Sequence, residues 1–166
     1  MKHIIIFGLL LLLYSCNSCK DEELTLRGGS FTGDELRIDG YYYRKIPDLE
    51  IYFFYSNGIV RYGGGGYTSF EEVEERILNH QLVNENSRTT WGVFQVNNNT
   101  IKFERWYPSS GGVAPVYVRE GTILNDTTFH ITSSYRSDGS ERREKNEMYH
   151  FHQFSLKPDS TNNFIK

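Results

Sequence analysis

The chain has 166 residues and a formal net charge of −3 at pH 7, with 15% aromatic and 23% charged residues. A small negative charge without a basic stripe argues against nucleic-acid binding, and the length suits one domain with one core. Twelve tyrosines and eleven phenylalanines against four prolines favour pleated, half-buried surfaces, so the composition predicts a mainly β domain.

The first fifteen residues predict a cleaved export signal. Lys2 supplies a basic start, residues 4–13 are apolar, and the small residue Ser15 precedes Cys16. This apolar run has about half of the ~20 residues that a membrane-spanning helix needs. We therefore interpret residues 1–15 as a signal peptide that is removed from the mature protein.

Residues 13–16, Leu-Tyr-Ser-Cys, resemble the lipobox of bacterial lipoproteins. The resemblance implies that Cys16 accepts a diacylglyceryl group and becomes the new N-terminus. Cys19 is the alternative, although it lacks a leucine three residues upstream. The other interpretation is a soluble exported protein with an incidental thiol pair. Two cysteines three residues apart, with no second pair and no neighbouring histidine, indicate neither a zinc site nor a disulfide framework.

A short charged run, Lys20-Asp21-Glu22-Glu23, follows the cysteines and predicts a solvated tether. It also resembles the acidic export tag of Bacteroidota-type lipoproteins, which implies display on the outer face of the outer membrane. We therefore expect a lipid-anchored outer-membrane protein, with surface exposure favoured. Residues 16–35 are predicted to form the lipidated cysteine and a flexible tether, because they are polar and aperiodic beyond the cysteines.

Turn signals divide residues 36–157 into about eight strands, followed by a C-terminal tail at 158–166. Asn57-Gly58 predicts a hairpin because both central residues of a type I′ turn need positive φ. Residues 97–100, Asn-Asn-Asn-Thr, and the pair Asn125-Asp126 mark two further turns. The expected topology is therefore an antiparallel meander.

Eight meandering strands in about 120 residues suit a small closed barrel, because closure removes exposed sheet edges. The arrangement is similar to a lipocalin-like barrel over residues 36–156. Within it, residues 38–42, Ile-Asp-Gly-Tyr-Tyr, resemble the Gly-x-Trp motif of lipocalins, with tyrosine in place of tryptophan. A two-sheet β-sandwich with the same number of strands is the alternative.

One amphipathic helix is predicted after the third strand, beyond a glycine run at 63–66 that we interpret as a flexible joint. Ser69 and Glu72 form a capping-box pattern, and Phe70, Val73 and Ile77 recur at helical spacing. This apolar stripe must be buried, so we expect the helix to close one end of the barrel.

The chain carries no catalytic signature. It has no Gly-x-Ser-x-Gly motif, and no Lys-Ser/Thr follows the four glycines as a phosphate loop requires. A register placing His130 opposite His152, with His150 two places along, puts three imidazoles on one outward strand face. Such a cluster is able to bind zinc or copper, but a solvated face is favoured. We expect no enzyme, metal or cofactor.

Two functions remain. The favoured one is a barrel that binds a small apolar or amphipathic ligand, with Trp91, Phe103 and Phe151 converging on its interior from alternating strand positions. The alternative is a structural or interaction module of the outer membrane, with a filled core and exposed tyrosines that meet a protein or glycan. An internal cavity of several hundred Å³ favours the first, and a filled interior favours the second.

Overall fold

The computed structural model describes residues 21–166 and shows a closed barrel of eight antiparallel strands, in which β8 pairs with β1. The strands are β1 (Gly40–Lys45), β2 (Leu49–Phe54), β3 (Ile59–Tyr67), β4 (Trp91–Asn97), β5 (Thr100–Trp106), β6 (Val116–Asn125), β7 (Thr128–Arg136) and β8 (Arg143–Gln153). A helix, α1 (Phe70–Leu78), and a 3₁₀ turn (Arg88–Thr90) lie between β3 and β4. The predicted lipocalin-like barrel with one inserted helix is therefore confirmed, and the sandwich is not formed.

The predicted signal peptide and the candidate lipidation residues Cys16 and Cys19 lie outside the described residues. Within residues 21–166, no helix combines the length and the apolar character needed to cross a membrane.

The strands bury apolar side chains on both faces, which produces two cores. In β2, Tyr52 and Phe54 face the barrel interior, whereas Ile51 and Phe53 face outward, because successive side chains of a strand point to opposite sides. All four are at most 1% exposed. The outward core needs a cover of its own, and the insertion between β3 and β4 supplies it.

Helix α1 covers this outer face of the barrel. The Ser69 hydroxyl accepts a hydrogen bond from the backbone N–H of Glu72, at 3.3 Å, as the capping-box pattern predicts. Val73 and Ile77 are buried in the outer core with Ile51. The expectation that α1 closes a barrel end is therefore wrong, because the apolar outward residues of β2 offer its stripe a broader surface.

The glycine run at 63–66 forms part of β3 rather than a loose joint. A Cβ atom at Gly63 would lie 2.5–2.7 Å from side-chain atoms of Ile51 and Phe53, so only glycine fits this close approach. Gly64 adopts φ +109°, and β3 shifts register against β2 at this point. The glycines therefore allow a bulged, tightly packed strand instead of a flexible hinge.

One end of the barrel, here called the plugged end, is closed by residues 31–38. Leu36 is 3% exposed and packs in the interior core together with Phe31 and Ile38. The N–H of Phe31 donates to the carbonyl of Ser56 at 2.7 Å, and the N–H of Arg37 donates to that of Asp126 at 2.9 Å. These bonds tie the segment to the turns after β2 and β6, which lie at the same end.

Candidate functional site

The structure separates the three residues that were predicted to line a ligand site. Phe103 is fully buried in the interior core, 5.3 Å between ring centroids from Tyr52. Phe151 is partly buried and packs against the same core, 5.4 Å from Tyr42. Trp91 is fully buried but belongs to the outer core. Phe94 pairs with Phe103 and faces inward, so Trp91, three positions earlier, faces outward.

Side chains fill the apolar part of the barrel interior. Phe54 lies at the centre, with ring centroids 5.0–5.8 Å from those of its aromatic neighbours, Tyr42, Phe94, Phe103 and Phe129. Each of these rings is at most 1% exposed. Such distances correspond to direct aromatic packing, so the interior resembles a protein core.

Away from the plugged end, the interior is polar, and we call this region the ionic end. Arg119 forms hydrogen bonds to a carboxylate oxygen of Glu147 and to the hydroxyl groups of Tyr149 and Tyr107. Arg44 bridges Glu147 at 3.1 Å and Glu50 at 2.8 Å. Because buried charges are tolerated only when they are paired and hydrogen-bonded, this network accounts for the polar interior at this end of the barrel.

Arg105 completes the ionic end without a carboxylate partner among the described residues. Its guanidinium lies 4.2 Å from the ring centroid of Tyr62 and 3.9 Å from that of Tyr107. Burial acts to lower the pKa of Arg105, but Tyr52 and Tyr107 outweigh it, so the pKa is raised and the group stays charged. Burial acts to raise the pKa of Tyr107, but Arg105 and Arg119 lower it overall.

A polar depression lies outside the barrel, and we call it the Arg61 cleft. It consists of two adjoining depressions of about 220 and 400 Å³ that share Arg61, His80, Glu85, Asn86 and Pro158. The larger volume falls within the ~300–1,000 Å³ of small-molecule sites. Arg61 is only 4% exposed, and its Nε has no hydrogen-bond partner among the described residues.

The loop between α1 and the 3₁₀ turn forms one wall of the cleft. His80 follows the end of α1 and adopts φ +54°, an uncommon conformation for a residue other than glycine. The indole N–H of Trp91 donates to the carbonyl of Glu85 at 2.7 Å, and the Thr90 hydroxyl donates to that of Asn84 at 2.7 Å. These bonds fix the loop to the start of β4, so the wall is anchored to the barrel.

The C-terminal tail forms the opposite wall. The Tyr55 hydroxyl donates to the carbonyl of Pro158 at 2.9 Å, and the Asn57 side-chain amide donates to the Ser160 hydroxyl at 3.0 Å. Burial raises the pKa of Tyr55, so its hydroxyl keeps its proton and remains a donor. The tail is therefore held in place from the barrel side, and it brings Asp159, Thr161, Asn162 and Asn163 to the cleft.

A larger groove of about 800 Å³ lies between the N-terminal segment and the end of the tail. Trp106 and Val93 line its barrel side. Leu24 of the N-terminal segment and Phe164 of the C-terminal tail line its other sides. This groove is mixed in character because Asp21, Glu22 and Glu23 also line it.

The histidines do not form the predicted cluster. His130 pairs with Met148 rather than His152, because the β7–β8 hairpin turns near residue 139, two residues earlier than pairing with His152 requires. His152 stacks on Phe70, with ring centroids 4.4 Å apart, and its Nε2 lies 2.9 Å from Glu74 of α1. Over residues 21–166 no group of three or more metal-ligating side chains is found.

Sequence reasoning missed the Arg61 cleft. Its only signal is a charged residue in the apolar run Ile59-Val60-Arg61-Tyr62, and that signal does not reveal which distant segments surround Arg61.

Comparisons with protein-family models, with curated proteins and with solved structures found no match for this chain.

Proposed function

We propose that this chain is a lipid-anchored protein of the bacterial outer membrane, and that its barrel is a non-catalytic interaction module with a filled core. The lipobox-like residues 13–16 support the anchor, and Cys16 is the proposed lipidation residue. One observation carries the second part: the aromatic side chains of the interior pack directly against one another at 0–1% exposure.

The packed interior favours this function over the apolar-ligand carrier, which the sequence had favoured. A ligand of several hundred Å³ would have to displace rings such as those of Phe54 and Phe103 from their positions. Emptying a buried aromatic position costs about 3–5 kcal/mol. The ionic end adds a second obstacle, because an apolar ligand that entered there would strip partners from Arg119 and Glu147.

The N-terminal segment at residues 21–28 is docked on the barrel. The sequence had predicted a solvated tether for this segment. A carboxylate oxygen of Asp21 accepts from Ala114 N–H at 2.8 Å, and the other pairs with Arg88. Glu22 accepts from Val116 N–H at 2.8 Å and pairs with Arg136. The acidic run is ordered because these barrel groups offer it both cations and free backbone donors.

The docked segment determines which end of the barrel a lipid on Cys16 would hold toward the membrane. Asp21 and Glu22 contact the connection between β5 and β6, which lies at the ionic end. Cys16 lies five positions before Asp21 in the chain, and an extended chain of five residues spans at most ~18 Å. A lipid on Cys16 would therefore hold the ionic end of the barrel toward the membrane.

Metabolic labelling tests the anchor. Cells that express the full chain are fed radiolabelled palmitate, and we expect label in the wild type and in Cys19→Ala but none in Cys16→Ala. Native mass spectrometry of protein purified from its source tests the filled core, and we expect the mass of the lipidated chain without a bound apolar molecule. Unlabelled wild-type protein would refute the anchor, and a stoichiometric apolar ligand would refute the filled core.

A further inference from the structure

We propose that the Arg61 cleft binds a neutral saccharide. The inference deepens the proposed function by naming a site and a ligand class for the interaction module. It begins with Arg61, which is 4% exposed and contributes to both parts of the cleft. Its Nε is out of solvent contact, so a ligand would meet the Nη2 end of the guanidinium, which lies beside the exposed Glu85 carboxylate.

The position of Arg61 is fixed before any ligand arrives. Its guanidinium lies 5.0 Å from the ring centroid of Trp91, and its Nη2 lies 3.3 Å from a carboxylate oxygen of Glu85. Glu85 is 63% exposed in its side chain, so this ion pair is solvated and contributes little to stability. The stacked arginine therefore provides a preorganised donor, and Glu85 remains free to accept from a ligand as well.

The charges of the cleft select against an anion. Arg61 shares the lining with two carboxylates, Glu85 and Asp159, so the acidic side chains outnumber the arginine. A phosphate or carboxylate would approach these two acidic groups as well as the arginine, and like charges raise the cost of binding.

The polarity of the lining selects against an apolar ligand. The walls consist largely of amide, carboxylate, hydroxyl and imidazole groups, and burying them under an apolar surface would leave donors and acceptors unpaired. A hydroxyl both donates and accepts. A ring bearing several hydroxyls therefore matches a lining that contains donors from Arg61 and Asn86 and acceptors from Glu85 and Asp159.

Saturation-transfer NMR on the full chain tests the site. The protein is purified in a detergent without a sugar headgroup and mixed in turn with methyl glucoside, methyl galactoside, methyl mannoside, N-acetylglucosamine and glucuronate. We expect saturation transfer to at least one neutral sugar, with glucuronate bound at least fivefold more weakly than that sugar. Transfer to none of the neutral sugars, or tighter binding of glucuronate, would overturn the proposal.

Variants locate the binding. Asn86 and Glu85 are exposed, so Asn86→Ala and Glu85→Gln should fold normally, and each should weaken sugar binding about two- to tenfold. Arg61→Lys should weaken it more than tenfold, because lysine lacks the planar guanidinium that stacks on Trp91. The matched controls are Asn99→Ala in the β4–β5 turn and Glu144→Gln in β8. Unchanged affinity in both exposed cleft variants would overturn the assignment, whether or not Arg61→Lys folds.

The test is independent of the lipid anchor. Sugar binding with unlabelled protein in the palmitate experiment would support the cleft and refute the anchor. Palmitate labelling without sugar binding would refute the cleft and leave the anchored module intact.

Discussion

The guanidinium of Arg61 stacks 5.0 Å from the ring centroid of Trp91. The indole N–H of the same tryptophan donates to the carbonyl of Glu85, at 2.7 Å. One fully buried side chain therefore supports both the floor of the cleft and its loop wall. Trp91 was predicted to line the barrel interior as a ligand contact, and the structure gives it a supporting position on the opposite face.

Two substitutions separate the contributions of Trp91. Trp91→Ala should cost about 3–5 kcal/mol of unfolding free energy, because it empties a fully buried site. Trp91→Phe retains an aromatic ring under Arg61 and loses the hydrogen bond to Glu85, so its cost should be smaller. Urea unfolding measures the stability, and hydrogen exchange should show faster exchange at residues 84–86 in Trp91→Phe. Unchanged exchange there would contradict the supporting role.

The interior offers a second stability test. Phe103→Ala should destabilise the chain by about 3–5 kcal/mol if the barrel is filled, because the surrounding rings cannot collapse fully into the space. Phe151→Ala is the comparison, since Phe151 is only partly buried and should cost less. Urea midpoints of the two variants give the ranking. A Phe103→Ala variant as stable as the wild type would instead indicate a ligand pocket.

Lys157 should make stability depend on pH above neutrality. Its ammonium donates to the carbonyls of Ile38 and Phe54 near the plugged end. Burial lowers its pKa from 10.5 to about 8. The unfolded chain therefore binds more protons between these values. The penalty for burying the charge is fully present below pH 8 and disappears as the pH rises toward 10.5.

The matched variant is Lys157→Met, which keeps the aliphatic stem and removes the titrating group. The unfolding free energy of the wild type, measured relative to this variant, should rise from pH 8 to pH 10. The tyrosines titrate in both proteins and cancel in the difference. A difference that stays flat or falls over this interval would show that burial does not disfavour the charged form.

Docking of the acidic segment predicts a local change in hydrogen exchange. Asp21→Asn or Glu22→Gln should speed exchange at the backbone of residues 24–28, because each removes an ion pair to Arg88 or Arg136. These ion pairs are partly exposed, so each should contribute only about 0–1 kcal/mol. Glu23→Gln is the control, since Glu23 is exposed and forms no ion pair with another residue of the described range 21–166. Equal exchange in all three variants would indicate that the segment is held by other contacts.

Local features of the chain were predictable because their physical causes lie within a few residues. The hairpin turn at Asn57-Gly58 forms where it was predicted, and Gly58 adopts φ +78°. Asn57 does not adopt positive φ, so the expected type I′ geometry is wrong. The start of α1 follows from Ser69 and Glu72, whose capping bond forms as expected. Alternating aromatic strands between such turns favoured a closed barrel, with a β-sandwich as the alternative.

Register was harder to predict because it depends on where each hairpin turns and on bulges within its strands. Aligning His130 with His152 requires a turn centred on Glu141, whereas Ser134 pairs with Arg143 and His130 with Met148, which places the turn near residue 139. The glycine run at 63–66 is another case, since glycine suits both a loose joint and a close approach. Only the neighbouring Ile51 and Phe53 decide between the two.

By itself, the sequence determined the mainly β barrel, its turns and its capped helix, because dihedral preferences and side-chain alternation are properties of short segments. Tertiary structure decided that the aromatic interior is packed, that α1 covers the outer face and that residues 21–28 are docked. It also assembled the Arg61 cleft from β3, the loop after α1 and the C-terminal tail. These features depend on contacts between segments that are far apart in the sequence. Only the packing of the whole chain specifies those contacts.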